Sequence, residues 1–221
     1  MRYSFAFRHR NEASSKRRLL YLPLRAYNGD MDIVEQILSD VKAKIELYRE
    51  QDEDHYDFWE NHIKYVYIEA QHLAEKYGAD LEVVKLGALL HDIALIEKVG
   101  TKADHHENGK QIAAELLEKY NYPIERKNHV LGCVLHHRSS KNAENIEELC
   151  VADADILAHF DNIPMLFNCI YILDDVRGCT EARNAIRAIF EKDYNDLSEK
   201  TKMDFTERYK IILDVVLGEG A

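Results

Sequence analysis

The sequence predicts an all-α fold, and the spacing of its apolar residues is the main reason. From about residue 30 onward, apolar side chains recur at three- and four-residue steps, for example at Ile33, Ile37, Leu38 and Val41. This spacing is typical of amphipathic helices, and no run of alternating apolar and polar residues competes with it. With 221 residues, of which 46% are hydrophobic, the chain is long enough to form one domain with a sizeable core.

Capping and helix-breaking residues divide the chain into successive helices. We expect Asp30 to cap the first helix, Asp80 to cap the third, and Gly78 to end the second in a left-handed conformation. Pro123 suits the first turn of a helix, where its missing N–H is not needed. The predicted helices cover about 30–49, 58–77, 80–98, 106–120, 123–137, 146–160, 163–176, 180–194 and 198–217.

The charge distribution limits the classes of partner. A net charge of -11 argues against general nucleic-acid binding, because phosphate backbones are bound by a surplus of Lys and Arg. Residues 1–30 hold seven basic and two acidic residues, so the remainder of the chain carries -16. We expect this basic N-terminal extension to be disordered, or translation to start at Met31 instead, with a targeting peptide as the sharper alternative.

Apolar run lengths and cysteine usage bear on the cellular compartment. No stretch approaches the roughly 20 apolar residues that a membrane-spanning helix needs, so we expect no membrane partner. The four cysteines show no CxxC spacing, and a chain of this size does not depend on disulfides for stability. We therefore expect a reducing, cytoplasmic environment.

One apolar stretch contains two ionisable residues side by side. Residues 86–96 read LGALLHDIALI. Apolar residues occur on almost every face of this predicted helix, which predicts that His91 and Asp92 are buried. Burying a polar group without a partner costs about 2–7 kcal/mol. A divalent metal ion would satisfy both side chains, since imidazole and carboxylate ligands suit first-row ions. A hydrogen-bonded core histidine beside a surface aspartate is the alternative interpretation.

Further histidines and aspartates lie near predicted helix ends, an arrangement from which helical bundles build metal sites. Four-residue steps also relate His129, Cys133 and His137, but a helix face that packs inward explains them equally well. We expect His9, His55, His72 and His159 to be surface or structural residues. The remaining candidates near helix ends are His62, His105, His106, His136, His137, Asp153 and Asp155.

The order His62, then His91 and Asp92, then Asp155 resembles the H…HD…D signature of the HD superfamily of metal-dependent phosphohydrolases. The segment HHENGKQIAAELL is similar to the family's H-x-x-x-G helix, and ADADILAHF to its closing A-D-x-L. The resemblance covers residues 54–160. It implies that residues 31–221 form a single all-α HD-like domain, with additional C-terminal helices at about 163–217.

The resemblance also implies a set of metal ligands. One divalent ion (Mn, Fe, Co, Ni or Zn) would be held by the four residues of the signature, and a second ion or the substrate phosphate by two further histidines. From one sequence, Asp153 remains an alternative to Asp155, and His136 an alternative to His137. The implied sets are His62, His91, Asp92 and Asp155 for the first ion and His105 and His137 for the second position.

The activity implied by the resemblance is hydrolysis of a phosphoric ester or anhydride, in which metal-activated water attacks phosphorus. Asp92, or an acid that does not itself touch the ion, would accept the proton of that water. Arg126, Lys127 and Arg138 are candidate contacts for an anionic substrate. Because the acidic surface would repel a polynucleotide, we expect a small phosphorylated metabolite or a nucleotide, and a homo-oligomer is compatible with this. The alternatives are a di-iron oxygenase of the same fold and a non-catalytic helical module that senses a nucleotide.

Overall fold

The computed structural model describes residues 31–52, 56–172 and 176–218, and within these ranges it consists of helices and loops without β-strands, which confirms the predicted all-α class. The basic N-terminal extension and the expected cap at Asp30 lie outside the described residues, as do His9 and His55. The α-helices are α1 (Ile33–Gln51), α2 (Lys64–Tyr77), α3 (Leu81–Leu90), α4 (Ile93–Ile96), α5 (His105–Lys119), α6 (Ile124–His136), α7 (Ile146–Asp161), α8 (Ile163–Ile172), α9 (Cys179–Asp196) and α10 (Glu199–Leu217).

Local capping interactions explain most helix ends. Asp32 caps α1 by accepting a hydrogen bond from the Glu35 backbone N–H at 2.8 Å, and Asp80 caps α3 as predicted. Gly78 ends α2 with φ of 75°, the left-handed conformation that glycine adopts without steric cost. Helix α8 is described up to Ile172, and Val176, at which the predicted helix ends, is not helical.

Helices α3 and α7 lie at the centre of the bundle. Helix α7 packs along α2, and α3 packs against α1, α2, α6 and α7, so both central helices are covered on several sides. Gly87 permits this close approach. A Cβ atom at that position would lie only 2.6 Å from Cβ of Cys133 on α6 and 3.1 Å from Cγ2 of Val151 on α7. The packing therefore brings α3 close to α6 and α7, the helices whose ends or inner faces carry His91, His137 and Asp155.

The predicted continuous helix over residues 80–98 is interrupted at the His91–Asp92 pair. Helix α3 ends at Leu90 and α4 begins at Ile93, while Asp92 adopts φ of −104° and ψ of 17°, outside the helical region. Neighbouring side chains on a regular helix diverge by about 100°. Across the break, Nε2 of His91 and Oδ2 of Asp92 lie 3.5 Å apart, so both side chains reach the same cluster. The prediction of an unbroken helix was wrong because the spacing of apolar residues does not reveal a local change of backbone dihedrals.

The C-terminal helices pack against α7 and share one hydrophobic core with the preceding helices. The ring of Phe160 on α7 stacks on Phe190 of α9 at 4.7 Å between centroids and meets Phe205 of α10 edge-on at 4.9 Å. Among the described helices, none has the length and apolar character needed to cross a membrane.

Candidate metal centre

The carboxylate of Asp92 lies between two pairs of histidines. Its Oδ2 atom is 3.5 Å from Nε2 of His91 and 3.6 Å from Nε2 of His62. Its Oδ1 atom is 3.2 Å from Nε2 of His105 and 3.7 Å from Nε2 of His137. One buried carboxylate thus faces two separate groups of nitrogen atoms.

The first group is completed by Asp155. Its Oδ1 atom lies 3.1 Å from Nε2 of His62 and 3.7 Å from Nε2 of His91, while the two histidine nitrogens are 3.0 Å apart. Metal–ligand bonds of about 2.0–2.2 Å place the ligand atoms of one ion roughly 3–4 Å from one another. The spacing of the nitrogen and oxygen atoms in this group therefore fits a single divalent ion.

The second group consists of His105, His137 and the Oδ1 side of Asp92. The two Nε2 atoms of the histidines are 2.9 Å apart, and all three side chains are buried. This group has fewer protein ligands than the first. It would leave more coordination positions to water or a substrate oxygen.

Backbone carbonyls fix the ring orientation of three of these histidines. A carbonyl oxygen can only accept a hydrogen bond, so each Nδ1 carries a proton and, in the neutral ring, each Nε2 atom presents a lone pair to the cluster. Histidine metal ligands are commonly held in this way. The bonds run from His91 Nδ1 to Ala88 O (2.8 Å), from His105 Nδ1 to Lys102 O (2.8 Å) and from His137 Nδ1 to Val134 O (2.7 Å).

An irregular turn places His62. A π-helical turn over Trp59–Ile63 precedes α2, and such turns change the direction of a side chain relative to a regular α-helix. The side-chain amide of Asn162, at the end of α7, donates to the backbone carbonyl of Asn61 at 2.9 Å. This bond ties the π-helical turn to the helix that carries Asp155.

The charges within the cluster favour ionised carboxylates. Burial raises the pKa of Asp92, but His91, a hydrogen bond from His105 and the charge of His62 outweigh burial and hold the pKa well below its usual range. The pKa of Asp155 is also lowered, because its bond to His62 and the charge of His91 overcome the opposing effect of burial. An ionised carboxylate is the form that binds a metal ion.

The two histidines of the second group differ in their proton affinity. Burial, reinforced by the charge of His91, lowers the pKa of His137 to about 4. Burial would also lower the pKa of His105, but the hydrogen bond and charge of Asp92 raise it overall. At neutral pH, His137 is therefore the neutral member of the pair.

The structure separates Asp155 from Asp153. Asp155 lies in the cluster, whereas Asp153 is fully buried elsewhere and accepts hydrogen bonds from the hydroxyl groups of Ser140, Ser198 and Thr201 and from the Ser198 backbone N–H at 2.9 Å. Asp153 thereby connects α7 to the start of α10. These four hydrogen bonds hold the Asp153 carboxylate away from the histidines of the cluster.

The structure also separates His137 from His136. His137 faces Asp92 and His105, whereas His136 pairs through Nδ1 with Oε2 of buried Glu148 at 2.7 Å. Of the three residues related by four-residue steps, only His137 lies in the cluster, since His129 is exposed and Cys133 is buried against α3.

Two of the three predicted substrate contacts lie far from the cluster. Arg126 and Lys127 occupy the first turn of α6, about ten residues before His137, which corresponds to roughly 15 Å along the helix axis. Acidic residues on neighbouring helices hold both cations at that end. The ion pairs are Arg126 with Asp80 (2.6 Å) and Glu82 (2.8 Å), and Lys127 with Glu118 (2.6 Å).

Cations do lie at the edge of the cluster. Arg138 directly follows His137, and its guanidinium donates to the Ala103 carbonyl at 2.8 Å in the loop between α4 and α5. Lys102 of the same loop is half-buried and contributes a positive charge near His159. Lys102 was not selected from the sequence, because nothing in the pattern of that loop indicates which way the side chain points.

Two further residues near the cluster also went unrecognised in the sequence. Burial is the largest cause that raises the pKa of the Tyr56 phenol, and the nearby negative charges of Cys169 and Asp92 raise it further. His159 was expected to be surface or structural. A ring nitrogen of His159 nevertheless lies within 4.8 Å of potential ligand atoms of His62 and Asp155. Its position four residues after Asp155, on the same face of a helix, is the signal that could have identified it.

Comparison with known proteins identifies the region of the chain that carries the cluster. The family model described as HD domain matches residues 59–159, from the π-helical turn to the last turn of α7. Ribonuclease Y of Treponema denticola is 33% identical over 97 residues, which are 44% of this chain and 18% of that relative. The match therefore spans less than a fifth of the relative's length.

Solved structures share the fold over most of the chain. A predicted HD superfamily hydrolase from an uncultured Thermotogales bacterium superposes with a TM-score of 0.56 and 23% identity, covering 85% of this chain and 92% of that one. The Lin1889 protein of Listeria innocua gives a TM-score of 0.57 and 20% identity, covering 86% and 97%. At these identities the likeness supports the all-helical fold, including helices beyond residue 159.

Proposed function

Because this chain belongs to the HD superfamily through its HD domain at residues 59–159, we propose that it is a metal-dependent phosphohydrolase that acts on a small phosphorylated metabolite or nucleotide. The observation that carries the proposal is the position of Asp92, whose two carboxylate oxygens face separate histidine pairs at 3.2–3.7 Å. Such a buried arrangement has little purpose in a purely structural core, where one partner for each polar group would suffice.

The residues present fit two divalent ions that share Asp92. The nitrogen and oxygen donors favour Mn, Fe, Co, Ni or Zn over Mg, which prefers oxygen ligands alone. When bound, a divalent ion lowers the pKa of water from 15.7 to about 7 and offsets negative charge on phosphoryl oxygens. The proposed ligands are His62, His91, Asp92 and Asp155 for the first ion, and Asp92, His105 and His137 for the second.

Asp92 has a second task in this proposal. Its lowered pKa keeps the carboxylate ionised at neutral pH, so the carboxylate can accept a hydrogen bond from the attacking water and direct that water toward phosphorus. The same lowered pKa makes it a weak base. Orientation of the water therefore contributes more than proton abstraction.

The anionic part of the substrate would meet Arg138 and Lys102 at the edge of the cluster. Arg138 is held by the Ala103 carbonyl, which fixes its planar guanidinium on the side of His137. A guanidinium in a fixed orientation can bind two phosphate oxygens at once. We expect Lys102→Ala and Arg138→Ala to raise KM more than they lower kcat, because both residues bind the substrate.

The acidic charge of the chain favours a small substrate over a polynucleotide. A net charge of -11 repels a polyanion at long range, whereas a single phosphate group can be accommodated by two local cations. The name of the relative Ribonuclease Y indicates RNA as the substrate of that protein, and only 18% of it matches. RNA is therefore an essential comparison substrate.

The test combines metal analysis with a substrate panel. The purified chain is analysed for metal content and then assayed for phosphate release from phosphomonoesters and nucleotides, with a single-stranded RNA oligonucleotide as a further substrate. We expect phosphate release from small substrates and a loss of about 10³-fold or more in Asp92→Asn, since this carboxylate serves both ions. His72→Ala is the matched control, because the His72 side chain is 64% exposed and pairs with Glu69 of its own helix rather than with the cluster.

Four outcomes would contradict the proposal. A protein that binds none of Mn, Fe, Co, Ni and Zn, and that hydrolyses nothing in the panel when these metals are added, excludes the phosphohydrolase. Iron-dependent oxygen consumption without phosphate release indicates an oxygenase. Nucleotide binding without turnover in wild type, unchanged in Asp92→Asn, indicates a sensor. Cleavage of the RNA oligonucleotide in preference to small phosphates would overturn the choice of substrate class.

A further inference from the structure

Two contacts join the π-helical turn at Trp59–Ile63 to α7. Oδ1 of Asp155 lies 3.1 Å from Nε2 of His62, and Nδ2 of Asn162 donates to the backbone carbonyl of Asn61 at 2.9 Å. One contact holds the ring of His62, and the other holds the backbone one residue before it. Both come from α7 or from the residue that directly follows it, so one helix fixes a ligand and the turn that carries it.

The orientation of the Asn162 side-chain amide follows from its two partners. The Asn61 carbonyl can only accept a hydrogen bond, so the atom that faces it is Nδ2. Oδ1 of Asn162 accepts from the backbone N–H of Met165 at 3.4 Å. Asn162 is only 9% exposed, and its backbone adopts φ of −124° and ψ of 62°, which ends α7. The donor toward Asn61 is therefore held in one orientation.

The π-helical turn determines where His62 points. The backbone N–H of Lys64 bonds to the carbonyl of Trp59, five residues earlier, whereas an α-helix joins residues four apart. If this turn became α-helical, the residues before Lys64 would rotate by about 100° relative to α2. His62 and Ile63 are both buried, His62 in the cluster and Ile63 in the hydrophobic core. The rotation would therefore move the ring of His62 away from Asp155.

The π-helical turn is held from two directions. Oδ1 of Asp57 accepts from the backbone N–H of Glu60 at 3.0 Å, and the Asp57 carbonyl accepts from the N–H of Asn61 at 2.9 Å. Because Asp57 belongs to the same segment as the turn, it cannot set the position of the turn relative to Asp155. Asn162 can, since it reaches the turn from the end of the helix that carries Asp155.

We propose that Asn162 is a positioning residue of the metal centre, whose amide holds the π-helical turn against α7 and so keeps Nε2 of His62 beside Oδ1 of Asp155. The inference rests on the proposed function, since it requires that the first group bind metal. It goes beyond the predicted ligand set, because Asn162 acts through the backbone of Asn61 rather than as a ligand. It also places a determinant of the centre beyond the matched HD domain at residues 59–159.

The competing explanation is that the Asn162 bond only joins two helical segments and contributes stability. Both explanations expect a less stable protein when the bond is lost. They differ in their dependence on His62, because a residue that acts through His62 has no effect on metal affinity once that ligand is absent. A double-mutant cycle between positions 162 and 62 measures this dependence.

The experiment measures Co²⁺ binding to the full chain by equilibrium dialysis, together with thermal unfolding of the metal-free protein. Wild type is compared with Asn162→Ala, His62→Ala and the double variant. We expect Asn162→Ala to weaken the binding of one Co²⁺ ion by about 10-fold or more, as loss of an outer partner of a metal ligand commonly does. Three ligands of the first group remain in His62→Ala, so a weaker affinity remains to be measured, and the double variant should match it.

Tyr77→Phe is the matched control. It removes the hydrogen bond between Tyr77 and Thr201 (3.0 Å), which joins α2 to α10 at the opposite end of α2 from His62. This variant also loses one hydrogen bond between helices. It should lower the thermal midpoint and leave Co²⁺ affinity at the wild-type value.

Wild-type Co²⁺ affinity in Asn162→Ala would overturn the inference, and so would a further loss of affinity in the double variant relative to His62→Ala. Asn162→Asp decides if the alanine variant is too unstable to measure. It keeps an acceptor for the Met165 N–H but places a carboxylate oxygen where Nδ2 donated, so unchanged Co²⁺ affinity in this variant contradicts the positioning role.

Failure of the proposed function looks different, since wild type itself then binds no Co²⁺ or releases no phosphate with any metal. A wild type that binds Co²⁺ and hydrolyses phosphates, beside an Asn162→Ala variant with identical Co²⁺ binding, rejects only the role of Asn162.

Discussion

The Nε2 atoms of His105 and His137 lie 2.9 Å apart although both rings use their Nδ1 protons to bond backbone carbonyls. Two neutral rings in this tautomer would present lone pairs to each other, so in the metal-free protein the contact needs the additional proton on Nε2 of His105 that its raised pKa favours. A metal ion between the nitrogens would replace that proton and bind both lone pairs. Since Oδ1 of Asp92 is 3.2 Å from Nε2 of His105, a divalent ion there would also have a carboxylate ligand.

The first prediction concerns the second ion. His137→Ala removes a ligand that only the second group uses, so we expect it to lower the metal content from two ions per chain to one while the first group keeps its ion. Metal content per chain, measured by mass spectrometry after desalting, checks this. His136→Ala is the matched control, because His136 pairs with Glu148 rather than with the cluster. Equal metal content in wild type and His137→Ala would contradict the assignment.

The second prediction concerns protons. Asp92 raises the pKa of His105 despite burial, so the metal-free protein holds a proton on His105 up to a higher pH than an ordinary histidine would. A metal ion binds only the neutral imidazole, so binding must release this proton, and affinity for the second ion must rise with pH. Calorimetric titration with Mn²⁺ at pH 7 in two buffers of different ionisation enthalpy measures the release. We expect proton release in wild type and less in His105→Ala; identical heats in both buffers for wild type would refute it.

The fold and much of the cluster could be predicted because their causes are local in sequence. Helical spacing of apolar residues, the cap at Asp80 and the left-handed turn at Gly78 act within a few residues of their own positions. The order of His62, His91, Asp92 and Asp155 could likewise be recognised as a pattern. Recognising this order requires no knowledge of the contacts that bring the four residues together.

The remaining features depend on contacts between distant residues. The break at Asp92 and the π-helical turn at His62 are backbone distortions that no Gly or Pro marks at their positions, so the sequence pattern alone does not reveal them. The bond between His159 and Asp193 spans 34 positions along the chain. Arg126 and Lys127 are close to His137 in sequence, but the length of α6 separates them from it.

The third prediction distinguishes the structural aspartate from the ligand. Asp153→Asn places an amide where hydroxyl groups and the Ser198 N–H all donate, so we expect a loss of about 2–3 kcal/mol in the free energy of unfolding. Metal content should remain that of wild type. Asp155→Asn should show the opposite result, with metal lost from the first group and helix content retained. Urea unfolding and metal analysis of both variants test this; metal loss in Asp153→Asn without loss of stability would contradict it.

The fourth prediction concerns the packing beneath the cluster. In Gly87→Ala the new methyl group would lie 2.6 Å from Cβ of Cys133, on a neighbouring helix that cannot move without disturbing the core. Overpacking of this kind costs about 1–3 kcal/mol, which should outweigh the gain in helix propensity. Thermal unfolding measures the effect, with the exposed substitution Glu75→Ala on α2 as the control. A Gly87→Ala variant as stable as wild type would show that α3, α6 and α7 are less tightly packed than described.

Asp92 is the residue on which the two groups depend, because its Oδ2 faces His62 and His91 while its Oδ1 faces His105 and His137. The most direct test is therefore the number of metal ions per chain in wild type and in Asp92→Asn, both purified without chelator and saturated with Mn²⁺. We predict two ions in wild type and the loss of both in the variant, with unchanged helix content by circular dichroism. An Asp92→Asn protein that retains the wild-type number of ions would contradict the shared centre.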